Sequence, residues 1–279
     1  MGLCGVNGRR MAAVAGVTCL FGGVLGGTAA AQDDPTPPAC PNAAAPALGG
    51  TEASDVLTGT AGPDRIFGFA GDDEITAAAG DDCVLGGSGF DLIQGALGRD
   101  LLRGEEGPDD VSGGRGNDLV YGEAGFDFVS GGLGDDEVYG GAGPDDVSGG
   151  HGNDLMRGGS GVDWMSGGLG DDRIEGNDDR DDIEGGDGRD RIFGGEGNDR
   201  LSGGLDGDRI DGGDGNDRLD GGAGRNTYSG GAGNDTIDAA NGVRERINCG
   251  AGRDLVRADR SDRVQNCERV YRLMLVHEG

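Results

Sequence analysis

From Gly50 to Asp238 the chain divides into 21 consecutive units of nine residues, with no insertion or deletion between them. The first position is Gly in 20 units, with Ala77 the exception, and the fourth is Gly in 18, with Ala53, Asp179 and Asp206 as departures. The sixth is Asp in 20 units, with Asn226 the substitute, and the eighth is always Leu, Ile, Val, Met or, once, Tyr228. Units Gly113–Tyr121 and Gly194–Ser202 show the whole pattern, G-G-x-G-x-D-x-U-x, where U is a large apolar residue. A unit this short cannot bury a face alone, so such a period means units stacked on one another. It excludes a layered domain built around one thick core.

Composition sharpens the point. Gly accounts for 65 of 279 residues, and Leu, Ile, Val and Phe together make up 19%. A chain of that kind cannot offset its conformational entropy by burying apolar surface, and on composition alone it reads as disordered. Something besides a hydrophobic core must hold it. The charge, 52 acidic residues against 23 Arg and no Lys for a net of −29, also argues against a nucleic-acid partner, because such a chain repels phosphate.

The nonapeptide resembles the hemolysin-type, or RTX, calcium-binding repeat, a pattern known from parallel β-helices. It covers 189 of the 279 residues. The resemblance implies an all-β fold, a right-handed parallel β-roll (β-helix solenoid) in which two nonapeptides make one coil and calcium lies in the turns between coils. Three residues of strand, x-U-x, and six of Gly/Asp turn then put one side chain inward per unit, since strand side chains alternate faces. Stacking joins those residues into two ladders, Ile66 with Val84 and Leu102 on one sheet, and Leu57 with Ile75 and Ile93 on the other. Glycines let the turns take positive φ and leave carbonyls free to face a ligand.

The same stacking places sixth-position carboxylates about 5 Å apart, a repulsion of roughly 3 kcal/mol per neighbouring pair at an effective dielectric of 20. Without counterions such a coil should not close. Carboxylate and carbonyl oxygens in a flexible loop suit Ca2+ and suit magnesium or zinc poorly. The expected ligands are Asp64, Asp73, Asp82, Asp91, Asp100, Asp109, Asp118, Asp127, Asp136, Asp145, Asp154, Asp163, Asp172, Asp181, Asp190, Asp199, Asp208, Asp217 and Asp235. With each site spanning two units of the same parity, 21 units allow at most about 19 calcium ions. Thr51 and Ala53, Ala77-Ala78-Ala79, Asp179, Asp206 and Asn226 mark turns expected to bind weakly or not at all.

The flanks read differently. Arg9 and Arg10 precede an uncharged run from Met11 to Gly27, and Ala29-Ala30-Ala31 has the shape of a signal peptidase site, so residues 1–31 are expected to be a cleaved signal peptide, leaving no stable membrane insertion. Residues 32–49 read as a Pro/Ala-rich linker or N-terminal cap, 50–238 as the repeats, and 239–279 as degenerate repeats and a C-terminal cap. In that cap Val270, Tyr271, Leu273, Met274, Leu275 and Val276 are expected to plug the last coil. Four cysteines remain, an even number in an exported chain, which points to disulfides. Cys249 and Cys267 are one 18-residue coil apart and should pair, leaving Cys40 to tie the linker to Cys83.

An enzyme lacks parts here. His151 and His277 have no catalytic partner at a recognisable spacing, and paired acids such as Asp72-Asp73 recur with the repeat. RTX repeats often form the secretion module of a larger toxin, protease or lipase, but a signal peptide and the lack of room for a catalytic domain favour a free-standing secreted, extracellular calcium-binding protein. The alternative is a cell-surface adhesion or polysaccharide-binding module on a calcium-stabilised rod. One candidate contact is an outward strip of Phe67, Cys83, Leu85, Leu101, Leu119, Tyr121, Tyr139 and Leu155, which turns charged from Arg173 onward. Either the Pro-rich segment covers this strip, or it serves self-association or ligand binding.

Overall fold

A computed structural model describes Cys40, Ala45 and residues 47–273, with Leu273 described by its backbone only. The expected signal peptide, most of the Pro/Ala linker, and Met274, Leu275, Val276 and His277 lie outside those residues. Twenty-six strands, from β1 (Ala47–Gly49) to β26 (Arg269–Leu273), form two parallel sheets of 13 strands each. Odd-numbered strands make one sheet and even-numbered strands the other, so the chain crosses between sheets after every strand. No helix occurs among the described residues.

The two expected ladders are the core. Ile66 pairs with Val84 and Val84 with Leu102 in the odd sheet, while Leu57 pairs with Ile75 and Ile75 with Ile93 in the even one. All 21 eighth-position side chains are buried and belong to one continuous cluster. The core is a single file of residues from each sheet, which is why stacking, and not the unit itself, supplies its burial.

Strand and turn divide the unit differently from the expected three and six. A typical strand such as β9 (Leu119–Ala124) takes six residues, positions seven to nine plus one to three of the next unit, and the turn keeps only Gly-x-Asp. The Gly-Gly step reads as a turn in sequence. In space it lies beside the same step of the next coil, where its backbone groups find partners. The ladder skips position one: Tyr121 pairs with Tyr139 and the next pair is Glu123 with Gly141. Position two takes positive φ, as at Gly114 (105°) and Gly132 (109°). Phe69, Ala78, Ala96, Glu105, Glu123 and Asn177 are forced into that region at the same position, and Asp179 and Asp206 at position four.

Both ends are tied. Cys40–Cys83 and Cys249–Cys267 are disulfides, with Cα separations of 5.7 and 5.2 Å. The second pair forms for a slightly different reason from the spacing argument. An extra residue makes Tyr228 pair with Ile247, and the next coil shortens to 17 residues, Arg246 pairing with Arg263. Asn266, at φ 51°, then brings Cys267 round to Cys249. Strands β23 (Arg246–Ala251) to β26 extend the solenoid, but the expected plug does not form from Val270 and Tyr271, which are 38% and 59% exposed. Among the described residues their strand is the last of the even sheet.

The outward strip is partly closed. Cys83, Leu101, Tyr121 and Tyr139 are buried and pack with Cys40 and Leu119 in a second cluster, and the two tyrosine rings stack at 4.7 Å.

Candidate metal centre

The sixth-position residues form one column per turn edge, and each carboxylate divides its oxygens between two tasks. Oδ1 accepts a hydrogen bond from the backbone N–H of the ladder residue one coil earlier, at 2.7–3.0 Å, from Asp55→Asp73 through Asp217→Asp235 and on to Asp235→Asp254. The residue is therefore a clamp between coils as well as a charge. Asp64 and every later expected ligand to Asp235 is at most 3% exposed.

Oδ2 is the chemically open atom. In Asp73, Asp82, Asp91, Asp100, Asp109, Asp118, Asp127, Asp136, Asp145, Asp154, Asp163, Asp172, Asp181, Asp190, Asp199, Asp208, Asp217 and Asp235 it is buried with no hydrogen-bond partner. A bare buried carboxylate oxygen is costly unless a cation or proton meets it. Around Gly113, the point where a Cβ would stand lies 2.5 Å from Asp118 Oδ2 and 2.6 Å from the carbonyl oxygen of Gly131, one coil on. Only a glycine leaves that space, and the same pairing of Oδ2 with a position-one carbonyl recurs along the rod. No three acidic, His or Cys side chains converge among the described residues. Each cradle offers one carboxylate oxygen and backbone carbonyls, a donor set that fits a hard, flexible cation such as Ca2+.

Burial pushes the carboxyls of the ladder from Asp82 to Asp235 up, opposed by the backbone N–H that each accepts and reinforced at many positions by neighbouring carboxylates. Asp145 and Asp181 rise to about 8, Asp100, Asp109, Asp154, Asp208 and Asp217 to about 7, and Asp91, Asp118, Asp127, Asp163, Asp190 and Asp235 to about 6.

The exceptions are informative. Thr51 and Thr60 donate both backbone N–H and hydroxyl to Oδ2 of Asp55 and Asp64, so these two turns satisfy themselves. Asp64 thus stands apart from the other expected ligands. At Asn226 the cradle of Gly221 is filled by the Tyr228 hydroxyl, which accepts from Gly221 N–H at 3.1 Å and donates to the Asp238 carbonyl at 3.3 Å. Ala77 puts a methyl where its neighbours leave space. The sequence reading missed Glu245 and Asp254, whose Oε2 and Oδ2 are likewise buried and unpaired. They continue the ladder at a spacing of 19 from Asn226 and Asp235, and Gly250-Ala251-Gly252-Arg253-Asp254 was the visible signal.

The family model for the RTX calcium-binding nonapeptide repeat matches residues 49–82, 85–120, 112–147, 139–174, 175–210 and 202–237. The chain belongs to the RTX calcium-binding repeat family. A comparison with curated proteins gave no match. RTX repeats bind Ca2+, and the RTX solenoid is a structural calcium-binding arrangement, not a typical enzyme fold. RTX proteins are generally secreted, and among the described residues no helix is long and apolar enough to cross a membrane.

Proposed function

We propose that this RTX chain is an exported protein whose solenoid folds when calcium binds, and that its role is binding and not catalysis. The observation that carries the reading is the unbroken row of buried, unpartnered Oδ2 atoms from Asp73 to Asp217. These atoms, together with those of Asp235, Glu245 and Asp254, and the position-one carbonyls of the neighbouring coils are the proposed donors. Asp64 is left out because Thr60 already holds its second oxygen. Bound calcium supplies positive charge that offsets the stacked carboxylates, and the chain's own residues place the oxygens and exclude water. Two disulfides support an oxidising destination.

Far-UV circular dichroism with and without calcium tests the reading. A disordered chain in chelator and a β-rich chain in calcium are expected, with a cooperative midpoint of roughly 0.1–1 mM, the range of extracellular calcium modules, and no rescue by magnesium. Full β-structure in excess chelator at neutral pH would overturn it.

A further inference from the structure

The charge of the chain is unevenly placed. From Gly221 to Gly279 there are nine Arg against eight acidic residues, in a protein whose net charge is −29. Four of those arginines meet at one place. Arg225, Arg244, Arg246 and Arg263 line a cavity of about 320 Å3 with Asn226, Thr227 and Glu245. Three successive coils of the odd sheet build it: Thr227 pairs with Arg246 and Arg246 with Arg263, and the backbone N–H groups of Arg246 and Arg263 donate to the carbonyls of Asn226 and Glu245 at 3.3 and 3.0 Å.

Six arginines elsewhere on the rod pair with carboxylates. Arg103 pairs with Glu105 and Glu123, Arg157 and Arg173 with Glu175, Arg189 with Asp171, Arg200 with Asp182 and Arg257 with Asp238. None of the four cavity arginines has an ion-pair or side-chain hydrogen-bond partner among the described residues. Arg246 and Arg263 are register neighbours, about 4.8 Å apart at the backbone, so two like charges start from adjacent positions of the sheet. The ladder that offsets such charge is interrupted here, since Asn226 replaces Asp. The one carboxylate in the lining, Glu245, is fully buried, and its Oε1 is held by the side chains of Asn226 and Asn241. The Cys249–Cys267 disulfide fixes the same coils.

We propose that this cleft binds an oxyanion-bearing ligand, a sulfate or phosphate group either free or carried on a sugar of about disaccharide size. Guanidinium forks match such groups bidentately. The cavity volume lies at the lower end of ligand sites and exceeds what one inorganic ion fills. The acidic body of the rod disfavours long polyanions, which confines binding to this end.

The test uses the calcium-loaded protein with both disulfides intact, titrated calorimetrically at low ionic strength with sodium sulfate and with a sulfated disaccharide. The unsulfated disaccharide is the control. Binding of a sulfated probe is expected, weakened tenfold or more by Arg246→Gln with Arg263→Gln and by less than twofold by Arg200→Gln with Arg218→Gln, which removes equal charge from the even sheet. Tighter binding of the disaccharide than of sulfate assigns the sugar-borne group, and equal binding assigns the free ion. Arg263→Lys keeps the charge without the fork and should retain part of the affinity. Equal losses in the two double variants, or no binding by the parent protein, would overturn the proposal. Circular dichroism of the same samples reports the calcium-dependent fold, so failure of the anion site is distinguishable from failure of the calcium reading.

Discussion

At the residue scale, Asp118 shows why one amino acid recurs at every sixth position. Its Oδ1 clamps the N–H of Asp100, and its Oδ2 faces the cradle. The tasks separate in two variants. Asp118→Asn keeps an acceptor for Asp100 but removes the charge, so calcium-driven folding should persist with a midpoint raised several-fold. Asp118→Ala also leaves the Asp100 N–H unpaired, and urea unfolding in saturating calcium should show a further loss of about 1–3 kcal/mol. Identical behaviour of the two variants would show that the clamp contributes nothing. The raised carboxyl pKa values make a second residue-scale prediction. Folded-state values of about 6 to 8, above those of an unfolded chain, mean that protonation favours the folded state. The metal-free solenoid should therefore be most stable below about pH 4 and lose that stability as pH rises through 6 to 8. Circular dichroism in chelator between pH 8 and pH 4 should show β-structure growing as pH falls, and a flat profile would count against buried, unpaired carboxylates.

At the scale of the strand and turn, glycine's role differs by position. At position one it leaves room for the carboxylate and carbonyl; Gly113→Ala would set a methyl 2.5 Å from Asp118 Oδ2. At position two the requirement is conformational. Ala96 holds φ 78°, a region that costs a residue with a Cβ about 1–2 kcal/mol, so Ala96→Gly should raise the unfolding free energy by about 1 kcal/mol once glycine's greater unfolded entropy is subtracted. Gly113→Ala should instead weaken calcium-driven folding, and Ala77→Gly should strengthen it. Calcium titrations of the three variants check the pattern, and a Gly113→Ala midpoint equal to that of the parent would remove the cradle argument.

At the scale of the whole solenoid, turns that satisfy themselves bracket the long row of open carboxylates. Thr51 and Thr60 close the first two turns, and Tyr228 with Asn226 closes one near the other end. Coupling in a stacked rod runs between neighbouring coils, so loss of a mid-rod ligand should spread. Asp136→Ala should raise the calcium midpoint and lower its cooperativity, while Asp55→Ala, whose Oδ2 Thr51 already binds, should barely move either. Equal midpoints for the two variants would argue against nearest-neighbour coupling. The disulfides act on the unfolded chain. On the loop-entropy model, closing 43 residues at one end and 18 at the other contributes about 4 and about 3 kcal/mol, so reduction should raise the calcium requirement throughout.

Much of this was legible in the sequence, because a strict nine-residue period states which residues share a column. The two core ladders and the aspartate ladder follow from it; the disulfide pairs are read from the even cysteine count and from an 18-residue spacing that the 17-residue coil only approximates. What a column cannot state is which atom of a side chain faces which atom of the coil above. That Oδ1 is spent on a backbone N–H while Oδ2 stays bare, that the Gly-Gly step lies within the strand, and that the Tyr228 hydroxyl fills the cradle of Gly221 all depend on backbone groups that every residue carries alike. The arginine cleft is hidden for a related reason. Arg225, Arg244, Arg246 and Arg263 meet only after an inserted residue and a shortened coil shift the register, and periodicity read along the chain loses its phase where that shift occurs.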